Sequence, residues 1–385
     1  MLAKDILKVI YAPHKVFKDI IQNPKYIGPI TIMLLFILAY LGFGYVQIYK
    51  SYFDETLPNA QELYDEWTEN IAYWNSNANV TANLNDALSG TYYGNISIQF
   101  SADTSSQLWA QLNVANSVNC DVPDGYTLLS FRLKQLEPSA TPSNVTLYLF
   151  STNTSNFHHN LTSEFNVTGA WNNITLQLGP TSEEWLQSDS PDWGNITGVK
   201  FDVTWSTSSN ITFLADGFFF HGIYESAMSQ SIGNLPVFAV NAFIQFTMQW
   251  VALGGFLFLL PKLLKANTTW KPVLSVAGFV QITLIIQTLI FIAVFLLWPD
   301  LRFSLQALGG VSGESENALL EVLGSLLTVL WYVERIIYLW AIAICTFAIR
   351  ALFSFSWVKS IMVSSLAYLL SVIVYHFLAY GTIWL

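Results

Sequence analysis

Five apolar stretches, at 27–49, 235–260, 273–298, 336–353 and 361–385, are interrupted once, by a long polar segment over 50–234. A hydrocarbon core of about 30 Å is crossed by about 20 helical residues, so each stretch is close to or above the length of a membrane span. The segment between the first two holds most of the Asn, Ser, Thr, Asp and Glu. Its composition cannot enter lipid, so it must fold as a separate domain on one side. With only 11% charged residues and 53% hydrophobic residues, a wholly soluble chain is not expected.

Charge placement gives the sidedness. Lys4, Lys8, Lys15, Lys18 and Lys25 precede the first span; Lys262, Lys265 and Lys271 separate the second from the third; Arg350 and Lys359 separate the fourth from the fifth. Five spans put these segments on one face, and the positive-inside bias makes that face cytoplasmic. The net charge of −10 hides the contrast, because residues 51–234 carry 3 Lys/Arg against 19 Asp/Glu. The expected topology is a multi-pass protein of the cell membrane, with a cytoplasmic N-terminus and the 50–234 domain and C-terminus outside. The first apolar run is long, lacks a small-x-small cleavage site and reads as a retained signal anchor. Cys120 and Cys345 fall in different compartments and cannot pair, and Cys120 reads as a buried thiol.

Residues 1–26 form a cytoplasmic amphipathic arm. Ile6, Leu7, Val9 and Ile10, then Val16, Phe17, Ile20 and Ile21, recur at helical spacing, with Pro13 between the two groups. Such helices suit an anionic lipid surface or a cap beneath the bundle.

In the polar segment, "ETLPNAQELYDEWTENIAY" (55–73) reads as a helical lead-in. Strand-like alternation then dominates, in "YGNISIQF", "TLLSFRLKQL", "NVTLYLFS", "NITLQLG", "GVKFDVTW" and "NITFLADGFFF". Short antiparallel strands between Gly, Pro, Ser and Asn clusters indicate a β-sandwich. Side chains alternate across a strand. Ile174, Leu176 and Leu178 therefore face the core while Asn173, Thr175 and Gln177 face solvent, and Val145, Leu147 and Leu149 repeat the pattern. In "NITGVKFDV" the parity slips at Gly198. N-x-Ser/Thr acceptors for glycan occur at Asn79, Asn95, Asn144, Asn153, Asn160, Asn166, Asn173, Asn195 and Asn210.

The strands "LLSFRLK", "GAWNNITLQLG" and "DWGNITGVKFDVTW…ITFLADGFFFHG" resemble the jelly-roll domains of the galactose-binding-like and carbohydrate-binding-module families. The resemblance covers roughly Ser130–Gly222 and implies a sandwich that binds saccharide, with a structural Ca²⁺ allowed but mapped to no residue. Flat aromatic rings stack on sugar C–H faces. Among Trp109, Trp171, Trp185, Trp193 and Trp205, the platform is placed on Trp171, Trp193 and Trp205. The adjacent His158 and His159 point to opposite faces of a strand and make no metal site.

The bundle carries a second resemblance. "APHKVFKDIIQNPKYIGPITIMLLFIL" (12–38) and "LWAIAICTFAIRALFSFSWVKSIMVSSLAYLLSVIVY" (339–375), with a Phe355–Lys359 turn, resemble the Yip family of Ypt/Rab-interacting membrane proteins and its prokaryotic branch. That likeness implies five spans with a cytosolic N-terminus. The 50–234 insert departs from the family's short connection after the first span, and no feature calls for a GTPase partner. A prokaryotic, archaeal source fits the reading.

Residues 318–349 are too long for one perpendicular crossing. An outer interfacial helix over 318–335 and a span over 336–353 are expected, leaving Glu334 and Arg335 at the interface. Asn241, Gln245 and Gln249 lie at i, i+4 and i+8, a polar stripe on the second span that serves either interhelical hydrogen bonding or a polar path. "GGVSGES" is not a nucleophile elbow, and neither H-E-x-x-H nor a P-loop occurs. The expected protein is thus a non-enzymatic five-helix membrane bundle with an inserted extracellular all-β jelly-roll sandwich. It anchors or organises membrane and contacts glycan or envelope protein. Its partners are the bilayer and complex subunits, not nucleic acid. The alternatives are a small-molecule transporter or sensor that captures solute on the sandwich, and a structural subunit of a membrane complex.

Overall fold

The structure, a computed structural model, describes the chain except Met1, 60–64, Thr91, Asn166, Thr268, Gly310, Ser312 and 381–385. It divides into two compact units: 1–51 with 226–301 and 323–385, and 52–225 with 302–322.

The first unit is helical. Helices α1 (Leu2–Tyr11) and α2 (Pro13–Gln22) are separated at Ala12 by the proline. Then come α3 (Ile27–Lys50), α4 (Leu235–Leu263), α5 (Trp270–Val280), α6 (Ile282–Leu297), α7 (Glu314–Phe353), whose residues 314–322 belong to the second unit, and α8 (Trp357–Tyr380). Among the described residues, five helical stretches are long and apolar enough to cross a membrane: Ile27–Lys50, Ile232–Leu263, Trp270–Leu297, Glu314–Phe353 and Trp357–Ala379. Val16, Phe17 and Ile20 of α2 are buried in the same core as Phe36, Phe246, Val276, Ala341 and Ala367. The arm's apolar face is therefore used as a cap on the bundle. Glycines set the closest helix approach. A Cβ on Gly28 would lie 2.2 Å from the Phe279 ring, and one on Gly278 would lie 2.4 Å from Pro29. Small residues at such crossings let backbones meet.

Two of the expected spans have local features of their own. The 273–298 stretch is two helices meeting at Gln281, where the Leu284 amide bonds the Gln281 carbonyl (3.0 Å) and the Thr283 hydroxyl bonds the Val280 carbonyl (3.1 Å). A tighter i→i−3 turn with a hydroxyl on the freed carbonyl accounts for the step. The stretch expected as an interfacial helix over 318–335 and a span over 336–353 is a single unbroken helix, Glu314–Phe353. Neither Pro nor Gly interrupts it after Gly324, so nothing breaks the i→i−4 ladder at Arg335.

The second unit is an antiparallel β-sandwich. Its strands are β1 (Ser51–Leu57), β2 (Trp74–Ser76), β3 (Asn79–Asn83), β4 (Ser97–Val118), β5 (Leu128–Glu137), β6 (Asn144–Phe150), β7 (Asn156–Asn160), β8 (Asn172–Gln177), β9 (Leu186–Ser188), β10 (Ile196–Ser226) and β11 (Leu301–Phe303). The long strands β4 and β10 pair along most of their length, with register shifts between Thr204 and Ile211. Before that corner β10 pairs β6; after it, β10 pairs β5. The two strands thus pass from one layer to the other and close one core, in which Phe100, Phe131, Leu147, Phe157, Phe201 and Phe213 are buried.

Strand parity reads true: Ile174, Leu176, Leu178, Val145, Leu147 and Leu149 are buried, and Asn173, Thr175 and Gln177 are exposed. The slip in "NITGVKF" is a register irregularity between Ile196 and Gly198. The expected helical lead-in over 55–73 is not a helix throughout. Ser51 follows α3 directly into β1, which lies between β10 and β11 in the sheet. The helix there is one turn, Glu66–Glu69, and 60–64 lie outside the described residues. Pairing of β1 on both sides outweighs the weak local helix signal. Residues 302–322, from the connection between the third and fourth apolar stretches, also pack in this unit.

Candidate functional site

The layer made by β4, β10, β6 and β7 presents an outer face whose rows follow from register. Lys200 of β10 stands opposite Gln111 on one side and Tyr148 on the other; Tyr148 stands opposite His158, and Asp202 opposite Trp109. Alternation that drives Leu108, Ala110, Leu147 and Phe201 inward turns these side chains outward. Trp109, Tyr148, His158 and Lys200 are half-buried.

Lys200 organises the face. Its ammonium lies 5.2 Å from the Trp109 ring centroid, 5.5 Å from that of Tyr148 and 3.7 Å from Asp202 Oδ2. The Gln107 side-chain amide donates to both Asp202 oxygens, at 2.9 and 3.1 Å. Tyr148 stacks beside Phe150 at 6.3 Å and tilts against His158 at 5.9 Å. Partial burial, and after it the Asp202 charge, raises the Tyr148 phenol above its ordinary pKa, so it stays a neutral donor. The result is two aromatic rings flanking a charged, hydrogen-bonding centre. It can stack an apolar face and bond hydroxyl groups at once.

The sequence placed the platform elsewhere, and two of its three residues are corrected. Trp193 (7% exposed) stacks face to face on Phe157 at 3.8 Å and meets Trp185 edge-on. Trp205 (5% exposed) has the inward parity of Phe201 and Val203. Neither offers a ring to a ligand. Trp171 is half-buried against Leu88, Tyr93, Phe219 and Leu305, with the Lys134 ammonium 5.7 Å from its ring. It lies next to β8 and does not join the Trp109–Tyr148 face. Parity had put Tyr148 outward with Asn144 and Thr146; the pairing of β4 to β10 and β10 to β6 was the missing information.

Two buried polar arrays lie elsewhere in this unit. Asp65 and Asp216 are both fully buried, and the Thr68 hydroxyl bridges them, at 3.2 Å from Asp216 Oδ1. The amides of Phe218 (2.9 Å), Leu88 (2.8 Å) and Gly217 (2.8 Å) donate to their oxygens. Asp65 Oδ1 has no partner. Desolvation pushes Asp65 up to about 7 despite these donors, and desolvation followed by the Asp65 charge raises Asp216 well above the carboxylate range. Among the described residues no three His, Cys, Asp or Glu side chains gather as metal ligands. Two carboxylates with one unsatisfied oxygen fall short of the about six to eight oxygen ligands that a hard cation such as Ca²⁺ takes.

The second array was invisible in sequence. Asp54 Oδ2 lies 2.8 Å from His221 Nδ1, and His221 Nε2 lies 2.7 Å from Ser130 Oγ, the order of a Ser–His–Asp relay. Ser130 Oγ also bonds Thr175 Oγ1 at 2.8 Å, and Asp54 accepts from the amides of Gly222 (2.7 Å) and Leu305 (3.3 Å). Ser130 and His221 are each 2% exposed. Oγ is not presented to solvent, and the array ties β1 and the 302–322 segment to β5 and β10.

The other sequence-predicted residues are dispersed. Of the glycan acceptors, Asn79, Asn95, Asn153, Asn160, Asn173 and Asn210 are exposed, Asn144 and Asn195 are half-buried, and Asn166 lies outside the described residues. In α4, Asn241 is exposed, Gln245 half-buried and Gln249 buried, so the stripe turns from the surface into packing. In α7, Glu334 accepts from the Tyr338 hydroxyl, while the Arg335 guanidinium lies 4.9 Å from the Trp331 ring and 5.6 Å from that of Tyr338. The two charges each take an aromatic neighbour instead of each other. Cys120 is buried, which pushes its thiol up to about 12.

No known protein family matches the chain, and no curated protein matches it. Solved structures do. Carbohydrate-binding modules from the β-sandwich superfamily, described for promiscuous specificity, match at 15% identity over 39% of this chain and 57% of that chain, with a TM-score of 0.26. An exo-beta-agarase matches at 13% identity over 40% of this chain and 24% of that chain, with a TM-score of 0.31. The family 11 carbohydrate-binding module of Clostridium thermocellum, in complex with a β-1,3-1,4-mixed-linked tetrasaccharide, matches at 13% identity over 44% and 95%, with a TM-score of 0.27. Likeness at this level transfers no ligand and no residue role.

Proposed function

We propose that this is a non-catalytic membrane-anchored protein whose extracellular sandwich contacts saccharide through the Trp109–Lys200–Tyr148 face. The observation that carries the reading is that face itself: two half-exposed rings either side of Lys200 and Asp202 on one sheet surface. Pyranose rings pair C–H faces with equatorial hydroxyls, which is the mixture such a surface serves.

Membrane placement is supported by what the helices turn outward. Leu34, Leu38, Val240, Ile336, Leu339 and Leu366 are exposed on helices long and apolar enough to cross a membrane. Such a surface needs an apolar surround. The lysine bias supports a cytoplasmic arm and a sandwich outside, where its acceptors would carry glycan. The Yip-type assignment of the bundle rests on the resemblance of residues 12–38 and 339–375 alone.

A glycan array probed with the full chain in detergent tests the reading. The signal should be weakened by Trp109→Ala or Tyr148→Ala and retained with Trp171→Ala; an array without any signal would remove the saccharide assignment.

A further inference from the structure

A second candidate site lies in the helical unit. A cavity of about 510 Å³ opens between α2, the end of α7 and the start of α8. Its walls carry His14 and Lys18 from α2, Arg350 from α7, and the rings of Phe347 and Trp357. Lysine, arginine and a titratable histidine thus converge on one concave space with no carboxylate among its lining residues. Asp5 and Asp19, the acids of the arm, line a different cavity beside Gly28 and Phe279.

Among the described residues, the lysines and arginines in ion pairs are Lys50, Arg132, Lys134 and Lys200, and neither Lys18 nor Arg350 is one of them. Arg350 lies 4.2 Å from the Trp357 ring centroid, a cation–π contact that uses none of its N–H donors. Helix α8 begins on the same wall at Trp357 and brings the positive end of a 24-residue helix, its Lys359 amide donating to Ser356 Oγ and its Ser360 amide to the Ser356 carbonyl. A planar guanidinium, an ammonium and a helix N-terminus together are a donor set for tetrahedral oxyanions. The Phe347 and Trp357 rings line the remainder with apolar surface.

We infer that this cavity binds a phosphate ester, with Arg350 and Lys18 as its principal contacts. Two sources share that chemistry, a lipid headgroup and a free phosphate compound. The site is separate from the Trp109–Tyr148 face, so its failure leaves the saccharide reading standing.

The test uses the full chain in uncharged detergent, titrated with dihexanoylphosphatidic acid, inorganic phosphate and uncharged dihexanoylglycerol. At least one phosphate probe should bind, dihexanoylglycerol should not, and Lys18→Ala/Arg350→Ala should weaken binding at least tenfold. Lys15→Ala, an exposed lysine of the same helix outside the cavity lining, should change it less than twofold. Dihexanoylphosphatidic acid binding tenfold tighter than phosphate assigns a lipid headgroup; equal affinity assigns a free phosphate. If the double variant does not hold its fold, the phosphate-dependent rise in Tm decides, since it should vanish in Lys18→Ala alone, a surface change. No binding by either phosphate probe, an unchanged affinity in the folded double variant, an undiminished Tm rise in Lys18→Ala, or an equal loss with Lys15→Ala overturns the proposal.

Discussion

Arg132 in β5 forms a buried ion pair with Glu314, the first residue of α7 and 182 positions later in the chain. Tyr93 covers the guanidinium at 4.8 Å. Arg132 is almost fully buried while Glu314 keeps contact with solvent, so losing the glutamate charge leaves a desolvated cation without its counter-ion. Glu314→Gln should destabilise the sandwich unit by about 1–3 kcal/mol, the partial exposure of Glu314 holding the effect below that of a wholly buried pair. Denaturant melts followed by Trp fluorescence measure it. No loss would show that Arg132 is satisfied by other groups.

The Asp65–Asp216 pair makes stability depend on pH. A carboxyl at about 7 when folded, against 3.8 for the ordinary value, holds its proton more tightly in the folded chain. Its contribution is full below about pH 4 and is lost as pH rises through about 7. Tm in chelator should therefore decline across that window, and Asp65→Asn should flatten the decline. A Tm that stays level or rises across that window in the wild type would contradict this account.

The Ser130–His221–Asp54 array has the connectivity of a hydrolase, which makes the non-catalytic reading open to direct challenge. Buried Ser130 should not react with a fluorophosphonate probe in the folded chain, and Ser130→Ala should lower Tm without altering saccharide binding. Covalent labelling at Ser130, read by mass spectrometry, would contradict the reading.

Glycosylation should follow exposure. Glycopeptide mapping in a host with the machinery should find glycan at Asn79, Asn153 and Asn173, which are exposed. Asn195 should be unmodified, because its half-buried amide donates to the Ser151 carbonyl at 3.2 Å. Full occupancy at Asn195 with none at the exposed positions would refute the outward assignment of these faces.

Much of this fold was legible because it depends on period. Apolar length marked the five helical stretches, and alternation marked which residues of "NITLQL" and "NVTLYL" enter the core. Trp205 was legible too, since it shares the parity of Phe201 and Val203, yet the idea of a Trp platform outweighed that parity. What the sequence hid depends on long-range pairing. Nothing local brings Asp54, Ser130 and His221 together, or joins Glu314 to Arg132, or sets Trp109 and Tyr148 either side of Lys200. The single helix over Glu314–Phe353 was missed for a different reason. Bilayer thickness argued for a break there, but the backbone contains no residue that makes one.

The most direct test is calorimetric titration of the full chain in detergent with a saccharide recovered from an array. Trp109→Ala and Tyr148→Ala should each weaken binding about tenfold, equivalent to about 1.4 kcal/mol. Lys200→Ala should weaken it as well, and Trp193→Phe should leave it unchanged. Full affinity in a Trp109→Ala/Tyr148→Ala double variant that keeps the wild-type Tm would contradict the account.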